Sequence, residues 1–385
     1  MGYRYAILGA GRQGLYAAYD LARFGEADTL ALYDLNWGAA SRGAEKINRL
    51  LNREVAQGHP LDVTDTPALL QALKPVDAAV SAVPYLYNLN ITEAAIEAGT
   101  HVCDLGGHTP TAKEVMALAE DARGRGIAIV PDCGMAPGLN INLGLHALSL
   151  LDEPEALHIY DAGLPLHPVP PWNYVSTFHI NGLTNEYYGN AWFLRDGEPT
   201  PVPCLTELET LEFEPPLGTL EAAVTSGGLS LTPWRLKGKL RTLENKTLRY
   251  PGHWQTFEAY QRLGLFEMET VQLAEARVVP RELFHALLEP KLRSKDARDI
   301  CIIRVEAKGQ RGGRPASVTL ELRDTYDENT GFTAMEKMTG GHAAIVAHRA
   351  ARGDLPAGPV PVDDVLTGKA LEEACAPRGW QIRQW

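Results

Sequence analysis

Glycines 9, 11 and 14 follow the apolar run Tyr5-Ala6-Ile7-Leu8 and precede a helical pattern. Strand, glycine turn and helix in that order is the setting in which GxGxxG means dinucleotide binding. Gly9 permits a tight turn, Gly11 lets a diphosphate approach the backbone, and Gly14 lets helix and strand pack closely. Unpaired N–H groups at the helix start, beside Arg12 and Gln13, then face the anion. Asp34 ends a second apolar run, at about the 20-residue spacing where a carboxylate binds the adenosine ribose hydroxyls and repels a 2′-phosphate. The expected cofactor is therefore NAD rather than NADP, a preference that Arg42 nearby softens. A helix cap is the plain alternative for Asp34.

Further along, Asp104-Leu105-Gly106-Gly107-His108 sets two glycines between an acid and an imidazole. The segment from Asp132 to Asn140, DCGMAPGLN, joins a second acid to a small-residue turn and a helix start. Asp104, His108 and Asp132 are the candidate proton-transfer groups, because a carboxylate or imidazole can accept a proton from a reacting ammonium. Their plain alternatives are a strand-end cap, a helix start and a hinge residue. Tyr85, Asn140 and Arg249 are candidate substrate contacts. Arg249 could hold a carboxylate in a bidentate pair, or be an ordinary strand arginine. Histidines and cysteines are present near these stretches, but no CxxC or HExxH pattern supports a metal site.

The elements that must position these residues alternate. Strands are expected at 5–8, 29–33, 61–63, 77–82, 101–104 and 127–130, with helices between them, the last as one helix over 110–125. That alternation implies a Rossmann, doubly wound parallel sheet, an α/β architecture. Ligands in such sheets bind outside the carboxyl ends of the strands. The rule gathers Gly9 to Gly14, Asp34, Asp62 and Val63 on the adenosine half. It puts Val83, Pro84, Tyr85, Leu105, Gly106 and the acids on the nicotinamide half. From about residue 140 the alternation stops. Strands are expected at 156–161, 175–180 and 191–194, and a hairpin joins 300–307 to 317–322 across a loop at 309–314. This reads as an α+β domain on a mostly antiparallel sheet. A helix over 333–351 contains Gly340-Gly341, a sign of close packing. The expected division is 1–137, joined by 333–385, for the NAD-binding domain, and 138–332 for the substrate-binding and dimerisation domain.

Composition bounds the rest. At 385 residues the chain has room for two domains, with 45% hydrophobic and 22% charged residues. A net charge of −12 argues against nucleic acid as a partner. No apolar run approaches the ~20 residues of a membrane span, and the first strand leaves no room for a leader at the start. Cys103, Cys133, Cys204, Cys301 and Cys375 are odd in number and scattered, which suits reduced thiols in a cytoplasm.

GAGRQG, the SAVPY turn, DLGGH and PDCGMAPG at these spacings resemble the saccharopine-dehydrogenase-like family, and within it the branch of lysine 6-dehydrogenases. The resemblance returns in TSGG (225–228), KTLRYPGH (246–253) and the carboxy-terminal helical segment. It implies NAD-dependent oxidative deamination of L-lysine at the ε-carbon to allysine, which cyclises. It also implies a substrate role for the segment around Arg249, a return of the tail to the first domain, and a homodimer or higher homo-oligomer. Two other readings stay open. One is a saccharopine- or carboxynorspermidine-type reductase joining an amine to a carbonyl compound, for which the cluster Arg235, Lys237, Lys239 and Arg241 would serve. The other is a non-enzymatic NAD-binding regulator.

Overall fold

The computed structural model describes residues 2–176, 179–294 and 298–385. The first half alternates strictly. Its strands are β1 (Tyr3–Leu8), β2 (Ala27–Asp34), β3 (Ala56–Pro60), β4 (Ala78–Ser81), β5 (His101–Asp104) and β6 (Ala128–Val130). Its helices are α1 (Arg12–Phe24), α2 (Trp37–Leu51), α3 (Thr66–Leu73), α4 (Asn88–Ala98), α5 (Thr109–Ala117) and α6 (Ala119–Arg125). All strands pair in parallel, and the sheet order 3-2-1-4-5-6 reverses direction between β1 and β4. A crevice opens at that reversal, at the carboxyl ends of the strands.

Two expectations for this half are corrected. The third strand is β3, not 61–63. Its register runs from Leu30 opposite Ala56 to Asp34 opposite Pro60, so Leu61 to Val63 form the loop that follows. AQGHP carries little strand propensity, but Gly58 is required where α2 crosses: a Cβ there would lie 2.5 Å from the backbone of Ala40 and Ser41. The single helix over 110–125 is two helices, divided at Leu118, whose ψ of 27° leaves the helical range.

Helix α7 (Leu139–Ser149) leads into a nine-stranded mixed sheet. Its strands are β7 (Glu153–Pro165), β8 (Asn190–Arg195), β9 (Glu198–Pro203), β10 (Glu209–Phe213), β11 (Gly218–Val224) and β12 (Thr242–Arg249), then β15 and β16 described below and a last strand from the tail. Around it lie α8 (Ile180–Glu186), α9 (Thr232–Arg235), α10 (His253–Arg262), the small hairpin β13 (Val271–Leu273) and β14 (Ala276–Val278), and α11 (Pro280–Leu292). Most neighbours are antiparallel, but β12 runs parallel to β7, with Thr242 opposite Ala156. Strands β15 (Asp299–Arg311) and β16 (Arg314–Thr325) are longer than expected and meet at a tight turn of Gly312 and Gly313, both at positive φ. Two left-handed residues match the right-handed twist of a hairpin. Of the strand expected at 175–180, residues 177 and 178 lie outside the described residues and Ile180 starts α8.

The tail returns. Helix α12 (Ala334–Ala351) starts with a capping box of Thr333 and Glu336, and the Asp299 carboxylate accepts the N–H groups of Ala334 and Met335. Its Gly340 lies against α1, where a Cβ would sit 2.4 Å from the Gln13 carbonyl oxygen. After α12, β17 (Gly358–Pro359) extends the first sheet beside β6, and helix α13 (Lys369–Cys375) follows. Strand β18 (Ile382–Gln384) then crosses to β16 of the second sheet. One apolar cluster joins Tyr5 and Ile7 through α7 to Ile303 and Leu320, so the two sheets share a core. Among the described residues no helix is long and apolar enough to cross a membrane.

Candidate active site

The three glycines differ in what surrounds them. A Cβ on Gly9, at φ +103°, would lie 2.7 Å from the Ala82 carbonyl oxygen, and one on Gly14 would lie 2.0 Å from that of Gly9. Over Gly11 there is nothing within 4 Å. Two glycines therefore serve packing and the third leaves room for a ligand, as a diphosphate requires. Gly11 caps α1 without a side chain over the helix start. Gln13 lies in the same first turn. Arg12 Nη1 donates to the Ser176 carbonyl at 3.3 Å and ties the loop to the second half of the chain.

Asp34 ends β2 beside this loop. Its Oδ2 accepts Ala10 N at 2.9 Å and its Oδ1 accepts Asn36 N at 2.8 Å. It is not the cap of α2, which is Asn36. Asp62 is exposed and turns onto Thr64, whose hydroxyl and N–H hold its pKa below the usual carboxylate value. Val63 is anchored through its carbonyl to Asn90 Nδ2 at 2.7 Å. Val83 and Pro84 follow β4 across the crevice from Gly9, and Leu105 and Gly106 follow β5. These residues lie at the carboxyl ends of the strands.

Asp104 and Asp132 form one buried unit, 6% and 2% exposed. Asp104 Oδ1 accepts Gly106 N at 2.7 Å and Asp132 N at 3.2 Å. Gly106 is needed here, because a Cβ would lie 2.5 Å from Asp132 Oδ1. Asp132 stands at φ +69°, a strained conformation for a residue with a side chain. Its Oδ2 accepts the Ser230 hydroxyl, while its Oδ1 is buried without a partner among the described residues. Burial raises the pKa of Asp104, and burial together with the Asp104 charge raises that of Asp132. Two carboxylates in one dry site resist double ionisation, so the pair retains a proton above the ordinary carboxylate range.

His108 caps α5: Nδ1 accepts Thr111 N at 3.4 Å and meets Thr111 Oγ1 at 2.9 Å. With Nδ1 accepting, the neutral ring carries its proton on Nε2. Burial lowers the His108 pKa, which favours that neutral donor form over a base. The ring stacks on Tyr85, centroids 4.3 Å apart. Tyr85, His108, Asn185, Tyr188, Trp192 and Ser230 line a cleft of about 320 Å³.

Two proposed substrate contacts have other work. Every polar atom of Asn140 is engaged: Oδ1 accepts Gly138 N and Ile141 N, and Nδ2 donates to Asp161 Oδ2 and the Gly228 carbonyl. It fixes the loop that carries Ser230. Arg249 is 2% exposed, with Nε on the Tyr187 hydroxyl at 2.9 Å, Nη1 on the Leu248 carbonyl, and its plane over Tyr174. It is a buried strut, not an open carboxylate clamp. Of the basic cluster, Arg235 pairs with Asp364, Lys237 with Glu198 and Arg241 with Asp196, and none of the four lines the cleft. Ser230, Asn185 and Tyr188 had no sequence assignment. TSGG stops two residues short of Ser230, and α8, which carries Asn185, falls where sequence patterning offers no helix signal. Among the described residues no group of three or more His, Cys, Asp or Glu is placed to hold a metal ion.

Residues 5–130 match the family model described as the saccharopine dehydrogenase NADP binding domain, and residues 134–375 match that of the saccharopine dehydrogenase C-terminal domain. The first half is thus a nicotinamide-dinucleotide domain, with NADP in the matching name where Asp34 suggested NAD. Saccharopine dehydrogenase [NADP(+), L-glutamate-forming] of Saccharomyces cerevisiae is 23% identical over 290 residues, 70% of this chain and 62% of that protein. The mitochondrial alpha-aminoadipic semialdehyde synthase of Mus musculus is 26% identical over 220 residues, 54% of this chain and 23% of that protein. The chain thus spans less than two thirds of the length of either relative. A solved structure, apo histidine-tagged saccharopine dehydrogenase (L-Glu forming) from Saccharomyces cerevisiae, matches with a TM-score of 0.77. The match covers 100% of this chain and 99% of that one, at 17% identity. At that identity the likeness speaks for the fold.

Proposed function

The chain belongs to the saccharopine dehydrogenase family, and from that premise we propose that it is an amino-acid dehydrogenase that deaminates L-lysine at its ε-carbon, with NAD as oxidant. The balanced reaction takes L-lysine, NAD⁺ and water to allysine, ammonium, NADH and a proton. The observation that carries this reading is the buried Asp104–Asp132 pair, joined through Ser230 to a cleft whose lining, among the described residues, holds no lysine or arginine. A base with a raised pKa suits proton removal from an ammonium near neutral pH. Gly9, Gly11, Gly14, Asp34, Val83 and Gly106 would hold the dinucleotide, which supplies the hydride acceptor when bound. The open space over Gly11 fits that role.

Asp132 takes a proton from the substrate ε-ammonium, freeing the nitrogen lone pair that hydride loss requires. Asp104 holds Asp132 through its backbone N–H, and Ser230 orients the carboxylate from the opposite side. Once that proton has passed to solvent, the carboxylate takes one from the water adding at the oxidised carbon and gives it to the amine nitrogen, which leaves as ammonia. His108, neutral and stacked on Tyr85, orients what lies in the cleft as a hydrogen-bond donor.

The names of the relatives favour a second reading, a glutamate-forming saccharopine-type reaction with NADP. Such a substrate carries several carboxylates, and the uncharged lining argues against it. Purified protein with NAD and lysine alone should form NADH. No signal with lysine, but NADPH oxidation with an amine plus a keto acid, would replace the first reading with the second. Tight cofactor binding without turnover of any amine would leave the regulator. The five buried, unpaired cysteines support a cytoplasmic setting. The homodimer expectation is tested by light scattering.

A further inference from the structure

Arg281 stands in the first turn of α11, 9% exposed. Its Nε donates to the Phe266 carbonyl at 2.7 Å, and its Nη1 donates to Asn185 Oδ1 at 3.0 Å. Its plane covers the Tyr188 ring, 4.7 Å from the centroid. Its Nη2 is buried without a partner among the described residues. Glu267 lies near enough to favour the charge, yet its carboxylate accepts the Tyr188 hydroxyl at 2.8 Å and forms no ion pair with Arg281. A buried guanidinium with no direct ion pair and no partner for one nitrogen among the described residues is uncommon, because buried charges are normally paired.

The bond from Arg281 fixes the Asn185 amide. With Oδ1 committed to the guanidinium, the donor end, Nδ2, is the free end of a residue that lines the cleft. That side of the cleft therefore offers an N–H donor backed by a guanidinium that forms no direct ion pair among the described residues. Ser230, whose hydroxyl donates to the buried Asp132 carboxylate, lines the same cleft. Such a cleft has a pole for an anion and a pole for a cation.

We propose that Asn185, backed by Arg281, recognises a substrate carboxylate, so that the substrate class is an amine with a carboxylate at its far end rather than a simple amine or diamine. This rests on the amine-oxidising reading above. Asn185 is the contact, and Arg281 is a positioning residue that acts through it. The assignment takes over the role first given to Arg249, which is enclosed.

The test uses the full chain with NAD, comparing L-lysine with 1,5-diaminopentane, which lacks the carboxylate. Asn185→Asp removes the donor, pairs with Arg281 and repels a carboxylate. It should raise the ratio of KM for lysine to KM for the diamine at least tenfold. Arg281→Gln should move the ratio the same way, with Arg281→Lys recovering part of it. An equal loss on both substrates, or an unchanged ratio, overturns the proposal. If the wild type oxidises neither amine, the function proposed above has failed, and binding decides this one. Thermal stabilisation by 6-aminohexanoate should then exceed that by hexylamine in the wild type and lose that excess in Asn185→Asp. Equal stabilisation by the two ligands in the wild type overturns it.

Discussion

Asp132 combines three unusual properties in one residue: a left-handed backbone, a carboxylate oxygen buried without a partner, and a second acid held against its own N–H. Each is costly, and such costs persist where surroundings enforce them for a purpose. The pH dependence follows. If the Asp132 carboxylate is the base, kcat/KM rises with pH through the titration of the pair. Asp104→Asn keeps an oxygen for the two backbone N–H groups but removes the neighbouring negative charge. Burial of Asp132 remains and the repulsion goes, so the acidic limb of the pH–rate profile should move to lower pH. A shift to higher pH, or none, would remove the pair from the mechanism. The positions of Asp104 and Asp132 at strand ends were legible in the sequence because strand ends are marked by period and glycine. Asn140 and Arg249 were misread because residue type says nothing about who occupies the side chain. Ser230 and Asn185 were invisible for the related reason that serine and asparagine are common in any loop.

Elements fit each other here through positions that admit no side chain. Gly340 of α12 lets that helix touch the backbone of α1, with Ala17 N 2.8 Å from where a Cβ would be. Gly340→Ala must push apart two backbones rather than bend a side chain, and overpacking of this kind costs roughly 1–3 kcal/mol. Urea denaturation should report that loss, and cofactor affinity should fall with it because α1 carries the diphosphate end. The charged face of the second sheet gives a prediction with a defined sign. Burial would raise the Glu244 pKa, but hydrogen bonding and charge from His158, then Arg195, outweigh it and bring it down to about 2. A depressed folded pKa means stability present above the unfolded value of about 4.3 and lost as pH falls through the folded one. Glu244→Gln should therefore destabilise most near neutral pH and converge with the wild type toward pH ~2–3, measured by denaturation at a series of pH values. At this scale the long helix expected over 333–351 was readable to within a residue, as α12. Strand β3 was misplaced because AQGHP is held by its neighbour and by Gly58, not by its own propensity.

For the whole molecule, the alternating first half declared its architecture, since only a parallel sheet accommodates strands separated by helices. The mixed second sheet was less legible: β7 and β12 pair in parallel across a long stretch of chain, and no local pattern announces such a partner. Cofactor choice is a property of the folded whole. A dinucleotide at 100 times its Kd adds about 2.7 kcal/mol to stability, so NAD should raise the melting temperature more than NADP at equal concentration. Asp34→Ala should abolish that difference, and its own melting temperature without cofactor separates a loosened glycine loop from a lost ribose contact. If Asp34→Ala binds NAD unchanged, the cofactor assignment is wrong. Finally, β17 and β18 close the β6 side of one sheet and the β16 side of the other. A ribosome making this chain delivers β6 early, yet its outer hydrogen-bonding edge waits for the last stretch to emerge. Until then both sheets display bare edges, which are templates for pairing with other nascent chains. A chain stopped at residue 357 should accordingly aggregate at concentrations where the 385-residue chain stays dispersed.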